Sequence, residues 1–156
     1  MGELTDDLPE RLDAVLRDIG FGRLVGVEVA DWDHGRARTR LVPGPEQTNV
    51  HGFVHGGALF AVADTAFEVA CNSWGRVCVG LDVTVHYAAP AQPGDVLVAE
   101  AVEVTRSRRV ASYRVEVKGE DGLAPLHSAG RRLPHRSLAP GRRRVAGRVA
   151  GSALAP

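Results

Sequence analysis

The residues most able to do chemistry lie close together, between Asn49 and Asp64. Two histidines, His51 and His55, alternate with glycines in a segment with the sequence N-V-H-G-F-V-H-G-G. An apolar run follows directly and contains a single aspartate, Asp64. A carboxylate among alanine, valine and phenylalanine is costly to bury unless it faces a cavity or a partner. A glycine-rich turn next to an isolated carboxylate therefore marks a candidate site.

A metal site and a phosphate-binding loop both fit this segment poorly. His51 and His55 have the spacing of two ligands on one helical face, but the surrounding glycines favour a loop. The segment N-V-H-G-F-V-H-G-G contains no cysteine or glutamate to complete a set of metal ligands. A P-loop needs a lysine directly after its glycines, whereas the chain's lysine is Lys118. We therefore predict neither a metal nor a cofactor.

The start of a helix gives the glycines a role. N–H groups in the first helical turn lack intrahelical partners, and the helix dipole adds partial positive charge there. Gly56 or Gly57 can thus donate to a developing oxyanion, since no side chain blocks a carbonyl group. Asp64 follows Gly57 by two turns on the same face. The alternative is that Asp64 only bonds a polar neighbour such as Thr65 or Asn49.

The distance between the glycine turn and Asp64 predicts a dimer. Seven helical residues separate Gly57 from Asp64 by about 10 Å, which is too far for one reacting carbonyl to touch both. Two copies of the helix packed antiparallel would bring Asp64 of one chain to the glycine turn of the other. We therefore predict a homodimer with two composite sites.

Hydrophobic periodicity predicts the elements that position these groups. Residues 57–74 are apolar nearly all round and rich in alanine, which predicts a buried helix. Residues 8–19 predict an amphipathic helix, and residues 43–56 a loop. Strands are predicted over residues 22–30, 35–42, 77–87, 95–106, 110–118 and 123–132. The simplest architecture is an α+β fold in which a curved antiparallel sheet of about six strands wraps around the central helix.

Length and charge limit the class of protein further. The 156 residues fit one domain, which we predict over residues 1–138, with a disordered basic tail over residues 139–156. The formal net charge is zero, so the composition favours neither nucleic acid nor a membrane surface as a partner. Cys71 and Cys78 match no zinc spacing and are expected to be core thiols. A reducing, cytoplasmic location is expected.

The motif around the glycine turn resembles that of the PaaI-type acyl-CoA thioesterases of the hotdog fold. The matching residues are Asn49, His51, Gly52, His55, Gly56, Gly57, Leu59, Ala63, Asp64 and Ala66. The later strand L-D-V-T-V-H-Y-A-A-P, the P-G-D after it and Arg108 also resemble the family's pattern. The similarity spans about residues 40 to 132.

The resemblance implies hydrolysis of an acyl-CoA, with aryl-acetyl groups among the candidate acyl groups. It implies that Asp64 acts as general base or nucleophile and that the Gly56 amide polarises the thioester carbonyl. Asn49 and His55 would arrange the site. It also implies a homodimer or a dimer of dimers.

Further substrate contacts are predicted from the chemistry of acyl-CoA. Its phosphates need cations, and Arg106, Arg108 and Arg109 at a strand turn are candidates. The acyl group needs apolar surroundings, for which Phe60, Phe67 and Trp74 are candidates, with core packing as the alternative.

Glu68 departs from the family pattern, which often has an apolar or aromatic residue there. It shares a helical face with Asp64 at i, i+4. Its charge would raise the pKa of one of the two carboxyl groups and favour a base, or it would recognise a polar acyl group. Ser107 and the Arg131, Arg132 pair also depart from the pattern and leave acyl specificity open.

Two other functions fit part of the pattern. A hotdog hydratase or dehydratase would pair His55 with Asp64 to move a proton at carbon. A non-catalytic acyl-CoA-binding protein would use the same pocket without turnover.

Overall fold

The computed structural model of the chain describes residues 8–119 and 147–154. The described elements are α1 (Leu8–Arg17), α2 (Gly20–Leu24), β1 (Glu28–Asp33), β2 (Arg36–Leu41), a 3₁₀ helix (Pro45–Gln47), α3 (Gly56–Asn72), β3 (Val79–Tyr87), β4 (Leu97–Arg106), β5 (Val110–Gly119) and β6 (Gly147–Leu154). In this part of the chain, no helix combines the length and apolar character needed to cross a membrane.

The strands form one antiparallel sheet in the order β1-β2-β4-β5-β6-β3. The helix α3 packs mainly against β2, β4 and β5. Its side chains Ala63, Ala66 and Ala70 are fully buried, and their small size lets the helix lie close to the sheet. The predicted sheet around a central helix is confirmed, and the helix ends lie within two residues of the prediction.

The predicted strand over residues 22–30 is wrong in its first half. Residues Gly20–Leu24 form α2 instead, and β1 continues through residues 31–33, beyond the end of the predicted strand. Gly22 lets α2 lie close to α3, because a Cβ there would lie 3.0 Å from the Thr65 hydroxyl and Thr65 would have to shift. No local pattern in the sequence shows that contact.

The prediction of a disordered segment over residues 139–156 is wrong for Gly147–Leu154, which form β6. This strand lies between β5 and β3, with Ala150 opposite Thr84 on one side and Arg114 on the other. Gly151 faces Phe67 of α3, which lies 3.5 Å from where its Cβ would be. The composition did not indicate this strand, because its residues are mostly small. Small residues are typical of disordered tails, but they also fit against an aromatic ring. The predicted strand over residues 123–132 lies outside the described residues.

Replacing Ala150 with proline should destabilise the protein, because proline removes a ladder hydrogen bond from a strand that is paired on both sides. We expect Ala150→Pro to lower the free energy of unfolding by about 2 kcal/mol or more in urea denaturation. Ala150→Ser keeps the N–H group and should change it by less than about 0.5 kcal/mol. Equal unfolding midpoints for the two variants would contradict the placement of β6.

Candidate active site

The helix α3 begins at Gly56, and His55 is its N-cap. The His55 Nδ1 atom accepts a hydrogen bond of 2.9 Å from the N–H of Gly57. The N–H of Gly56, by contrast, has no acceptor among residues 8–119 and 147–154. Of the two glycines left open by the sequence, Gly56 therefore carries the available donor, and His55 fixes the turn that presents it.

Asn49 shapes the loop that leads into the helix. Its Oδ1 atom accepts hydrogen bonds from the N–H groups of His51, at 2.8 Å, and Phe53, at 3.3 Å. Gly52 lies between them with a φ of 78°, a conformation that favours glycine. Asn49 thus acts on the turn and does not bond Asp64. His51 is exposed, at the tip of the same loop.

Two residues that the sequence did not single out hold the turn in place. Gln47 accepts the N–H of His55 on its carbonyl at 2.7 Å, and its side chain bonds the Val25 carbonyl at 2.7 Å. Tyr87, at the end of β3, donates its hydroxyl to the Gly56 carbonyl at 3.1 Å. A Cβ on Gly56 would lie 3.2 Å from the Tyr87 ring. Both contacts join distant segments, so no spacing rule could have indicated them.

Asp64 is half-buried and has no hydrogen-bond or ion-pair partner among the described residues. The alternative role in bonding Thr65 or Asn49 therefore receives no support. Burial raises the pKa of the Asp64 carboxyl group. Within one chain Asp64 and Gly56 remain two turns of helix apart, as the sequence predicted. An unpaired carboxylate kept partly out of water is suited to taking a proton or attacking a carbonyl.

Glu68 lies one turn beyond Asp64 at the surface of the chain. Loss of hydration raises the pKa of the Glu68 carboxyl group, and the charge of Asp64 raises it further. The charge of Asp64 therefore disfavours ionisation of Glu68.

The two predicted acyl-binding phenylalanines have different surroundings. Phe67 is 4% exposed and meets the Tyr113 ring edge-on at a centroid distance of 5.4 Å. It packs in the core of the chain. Phe60 is only partly buried and precedes Asp64 by one turn on the same helical face. Phe60 is therefore the better candidate for contact with an acyl group.

The predicted arginines lie at the opposite end of α3 from Gly56, around a cavity of about 260 Å³. Arg106 is held by other residues: its Nε donates to Glu103 at 2.8 Å, and its Nη2 to the Tyr113 hydroxyl at 2.5 Å. Its guanidinium group also lies 5.0 Å from the centroid of the Trp74 ring. Arg108 and Arg109 are exposed, and their side chains have no acceptor in the described part of the chain.

No group of three or more His, Cys, Asp or Glu side chains within the described ranges could hold a metal ion. The site consists of a helix-end N–H donor, an unpaired carboxylate and, farther along the helix, a set of cations. A curved antiparallel sheet around a central helix is the hotdog fold, and these groups are typical of hotdog enzymes that act on thioesters.

Comparisons with known proteins place the chain in a family. The sequence profile of the Thioesterase superfamily matches residues 51–125. The acyl-coenzyme A thioesterase PaaI of Escherichia coli K12 is 33% identical over 104 residues, which cover 67% of this chain and 74% of that protein. A putative esterase of Archaeoglobus fulgidus is 36% identical over 95 residues, which cover 61% of this chain and 62% of that protein.

A solved structure gives the same fold. The Escherichia coli PaaI protein from the phenylacetic acid degradation operon matches with a TM-score of 0.76 at 22% identity, covering 99% of this chain and 96% of that one. The chain belongs to the thioesterase superfamily and has the hotdog fold. The family resemblance drawn from the glycine turn and Asp64 is confirmed.

Replacing Asp64 should stabilise the fold at neutral pH. Burial raises the folded-state pKa of Asp64 above its ordinary value of 3.8, so ionisation costs the folded state more than the unfolded one. We expect Asp64→Asn to gain less than about 1 kcal/mol at pH 7, since the side chain stays partly exposed to water. The gain should vanish as the pH falls below 3.8, measured by urea denaturation at fixed protein concentration.

Asp13 supplies a control of opposite sign. Hydrogen bonds from Arg17 and Trp32 lower the pKa of Asp13, so its contribution to stability is present at neutral pH and lost in acid. Asp13→Asn should therefore destabilise the protein at pH 7. A destabilised Asp64→Asn variant at pH 7 would show that Asp64 has a structural partner.

Proposed function

We propose that this protein hydrolyses acyl-CoA thioesters to a free acid and CoA. The proposal is carried by two groups on α3 of a chain of the thioesterase superfamily. One is the half-buried Asp64, which has no partner among the described residues, and the other is the free N–H of Gly56 at the start of the helix. The name of the Escherichia coli relative, an acyl-coenzyme A thioesterase, supports the same substrate class.

The proposed chemistry starts at the thioester carbonyl. The Gly56 N–H, aided by the helix dipole, stabilises negative charge as it develops on the carbonyl oxygen. Asp64 then acts in one of two ways. As a base it takes a proton from water while the water oxygen bonds to the carbonyl carbon. As a nucleophile it bonds to that carbon itself, and water later opens the anhydride. In both routes the C–S bond breaks and CoA leaves as the thiolate.

The acyl group is proposed to lie along the exposed strip of α3. Phe60 would contact its apolar part and Glu68 its far end. A carboxylate at Glu68 favours acyl groups with a hydroxyl or cationic substituent over acyl groups with a second carboxylate.

The active site is proposed to form between two chains. Within the described residues β3 pairs only with β6, so its other edge is bare, and its side chains Val79, Leu81, Val83 and Tyr87 are exposed. Antiparallel pairing of two such edges would give the backbone N–H and C=O groups of both edges hydrogen-bond partners. It would also place the two α3 helices antiparallel to each other. Tyr87 lies at the end of β3 and contacts Gly56 of its own chain. Pairing of the two β3 strands would therefore bring Gly56 of the partner subunit close to Asp64. The family resemblance also implies a dimer of dimers, which we propose as a further possibility to be tested by measuring the molecular mass of the protein in solution.

A thiol-release screen tests the activity. We expect the protein to release CoA from at least one of a set of short, medium, long and aryl acyl-CoAs, measured with a thiol reagent. Asp64→Asn should lose at least about 100-fold in kcat, because removal of a catalytic base or nucleophile typically costs this much or more. If the parent released thiol from no member faster than Asp64→Asn, the enzymatic proposal would fail. Binding without turnover by both would indicate an acyl-CoA-binding protein.

The Gly56 N–H can be removed with little change of shape. Proline is favoured at the first helical position, and His55 already has the extended backbone, with φ −64° and ψ 140°, that a following proline requires. Gly56→Pro should reduce kcat by about 100- to 1000-fold relative to Gly56→Ala, because only the alanine variant keeps the donor. Both variants place a Cβ beside the Tyr87 ring, so the alanine variant controls for bulk. Equal rates would contradict the role of the Gly56 N–H.

Mixed dimers test the composite site. A dimer of one Asp64→Asn chain and one Gly56→Pro chain, isolated by two affinity tags, contains one site with both groups intact. We expect about half the kcat of the parent dimer, although each parent homodimer is nearly inactive. A mixed dimer as inactive as the two homodimers would place both groups of a site on one chain.

A further inference from the structure

The start of α3 is the part of the helix with the most backbone freedom, because Gly56 and Gly57 follow each other there. Helix ends fray, and consecutive glycines favour fraying further. The peptide unit between His55 and Gly56 carries the N–H that would polarise a carbonyl. The carbonyl of this unit accepts the N–H groups of Ala58, at 2.9 Å, and Leu59, at 3.3 Å, which fix it to the first turn. The direction of the Gly56 N–H therefore depends on how firmly that turn is held.

The next peptide unit, between Gly56 and Gly57, is held at both of its ends. Its N–H donates to the His55 Nδ1 atom at 2.9 Å, and its carbonyl accepts the Tyr87 hydroxyl at 3.1 Å. A carbonyl oxygen has two lone pairs, so it can accept this hydroxyl without giving up a helical bond. His55 is a neighbour in sequence, whereas Tyr87 comes from another element, β3. Tyr87 therefore fixes the turn relative to the sheet, which His55 alone cannot do.

Tyr87 is itself anchored close to the turn. It is the last residue of β3, which is paired with β6. Beyond it, the carbonyl of the fully buried Ala91 accepts the N–H of Val54 at 2.9 Å, so the chain after β3 is bound to the segment that enters α3. The Tyr87 ring also lies against Gly56, where a Cβ would be 3.2 Å from it. The hydroxyl thus reaches the Gly56 carbonyl from a segment with little freedom to move.

We propose that Tyr87 is a positioning residue that acts across the dimer interface: it orients the Gly56 N–H of its own chain, and this N–H serves Asp64 of the partner subunit. Tyr87 acts through the Gly56 backbone and does not touch the substrate. The strand whose edge pairs the two chains then also carries the residue that prepares the donor. The inference rests on the proposed thioesterase function and on the composite site.

Removal of the Tyr87 hydroxyl tests the positioning role. We expect Tyr87→Phe to lower kcat for an acyl-CoA about five- to tenfold, which is what one hydrogen bond between uncharged groups typically contributes. KM should change by less than about twofold, because the Gly56 N–H acts on charge that develops in the transition state. The chain's other tyrosine supplies a matched control: Tyr113→Phe removes a hydroxyl that bonds Glu103 at 2.9 Å, near the opposite end of α3, and should leave kcat unchanged. An unchanged kcat in Tyr87→Phe would overturn the proposal.

A double-mutant cycle shows whether Tyr87 acts through the donor. Gly56→Pro lacks the N–H, so nothing remains for the Tyr87 hydroxyl to orient. Adding Tyr87→Phe to Gly56→Pro should therefore change kcat by less than about twofold, against about five- to tenfold in the parent. Equal factors in the two backgrounds would show that Tyr87 and Gly56 act independently and would contradict the positioning role.

Mixed dimers, isolated by two affinity tags, test whether the effect crosses the interface. Asp64→Asn on one chain leaves a single working site, built from Asp64 of the unaltered chain and the Gly56 N–H of the altered chain. Tyr87→Phe on the Asp64→Asn chain should lower the kcat of this site about five- to tenfold. Tyr87→Phe on the other chain should leave kcat unchanged, because the N–H that it orients belongs to the inactivated site. The reverse pattern would place Tyr87 and the Asp64 that it serves on one chain and would overturn the proposal.

Amide exchange makes the positioning role testable apart from the activity. The Gly57 N–H should exchange with solvent at least about fivefold faster in Tyr87→Phe than in the parent or in Tyr113→Phe, measured by NMR, because the turn opens more often. If the parent releases no thiol while the exchange changes in this way, Tyr87 orders the turn and the thioesterase function fails. If the parent releases thiol and Tyr87→Phe alters neither kcat nor the exchange, the function stands and this inference fails.

Discussion

Burial of α3 against one face of a curved sheet is the constraint on which the rest of the structure depends. The helix is apolar nearly all round, and its fully buried Ala63, Ala66 and Ala70 let β2, β4 and β5 approach closely. A sheet with this curvature covers only part of a helix. The strip that carries Asp64 and Glu68 stays open, and β3 at the sheet edge stays unpaired on one side among the described residues. The open strip of α3 and the free edge of β3 in the described sheet are thus two consequences of the same packing.

The start of α3 is organised in advance of any substrate. Gln47, His55 and Tyr87 each hold one backbone group of the turn, and together they leave the Gly56 N–H without an acceptor in the described structure. A donor that needs no rearrangement loses little free energy when charge develops on the substrate. At Asp64, burial raises the pKa of the carboxyl group and disfavours its charged form. In the proposed reaction, in which Asp64 acts as a carboxylate, this burial would trade stability for reactivity, as is common at active sites.

The far end of α3 shows how local charge can differ from the net charge. Glu103 accepts hydrogen bonds from Trp74, Arg106 and Tyr113, and these bonds lower its pKa against the effect of burial. The cluster neutralises one cation and fixes an aromatic wall. The neighbouring Arg76, Arg108 and Arg109 are exposed and have no acidic partner among the described residues. A protein with equal numbers of acidic and basic side chains can therefore still present a strongly cationic cavity.

The sequence by itself determined the buried helix, most strands, and the identity of the glycine turn and Asp64. These features are local: alanine-rich apolar periodicity, alternation along strands, and a fixed spacing from Gly57 to Asp64. The tertiary structure decided which glycine has a free N–H, because the His55 side chain accepts the N–H of Gly57. It also placed the Tyr87 hydroxyl, 31 residues away, against the Gly56 carbonyl. It also showed that Phe67 packs in the core, that Arg106 is neutralised, and that Gly147–Leu154 form a strand. The hydrogen bonds of His55 and Arg106 join residues only two and three positions apart, but side-chain orientation decides whether such bonds form. The packing of Phe67 and the pairing of β6 depend on contacts between segments far apart in the chain, and residue type and spacing carry no information about which distant groups will meet.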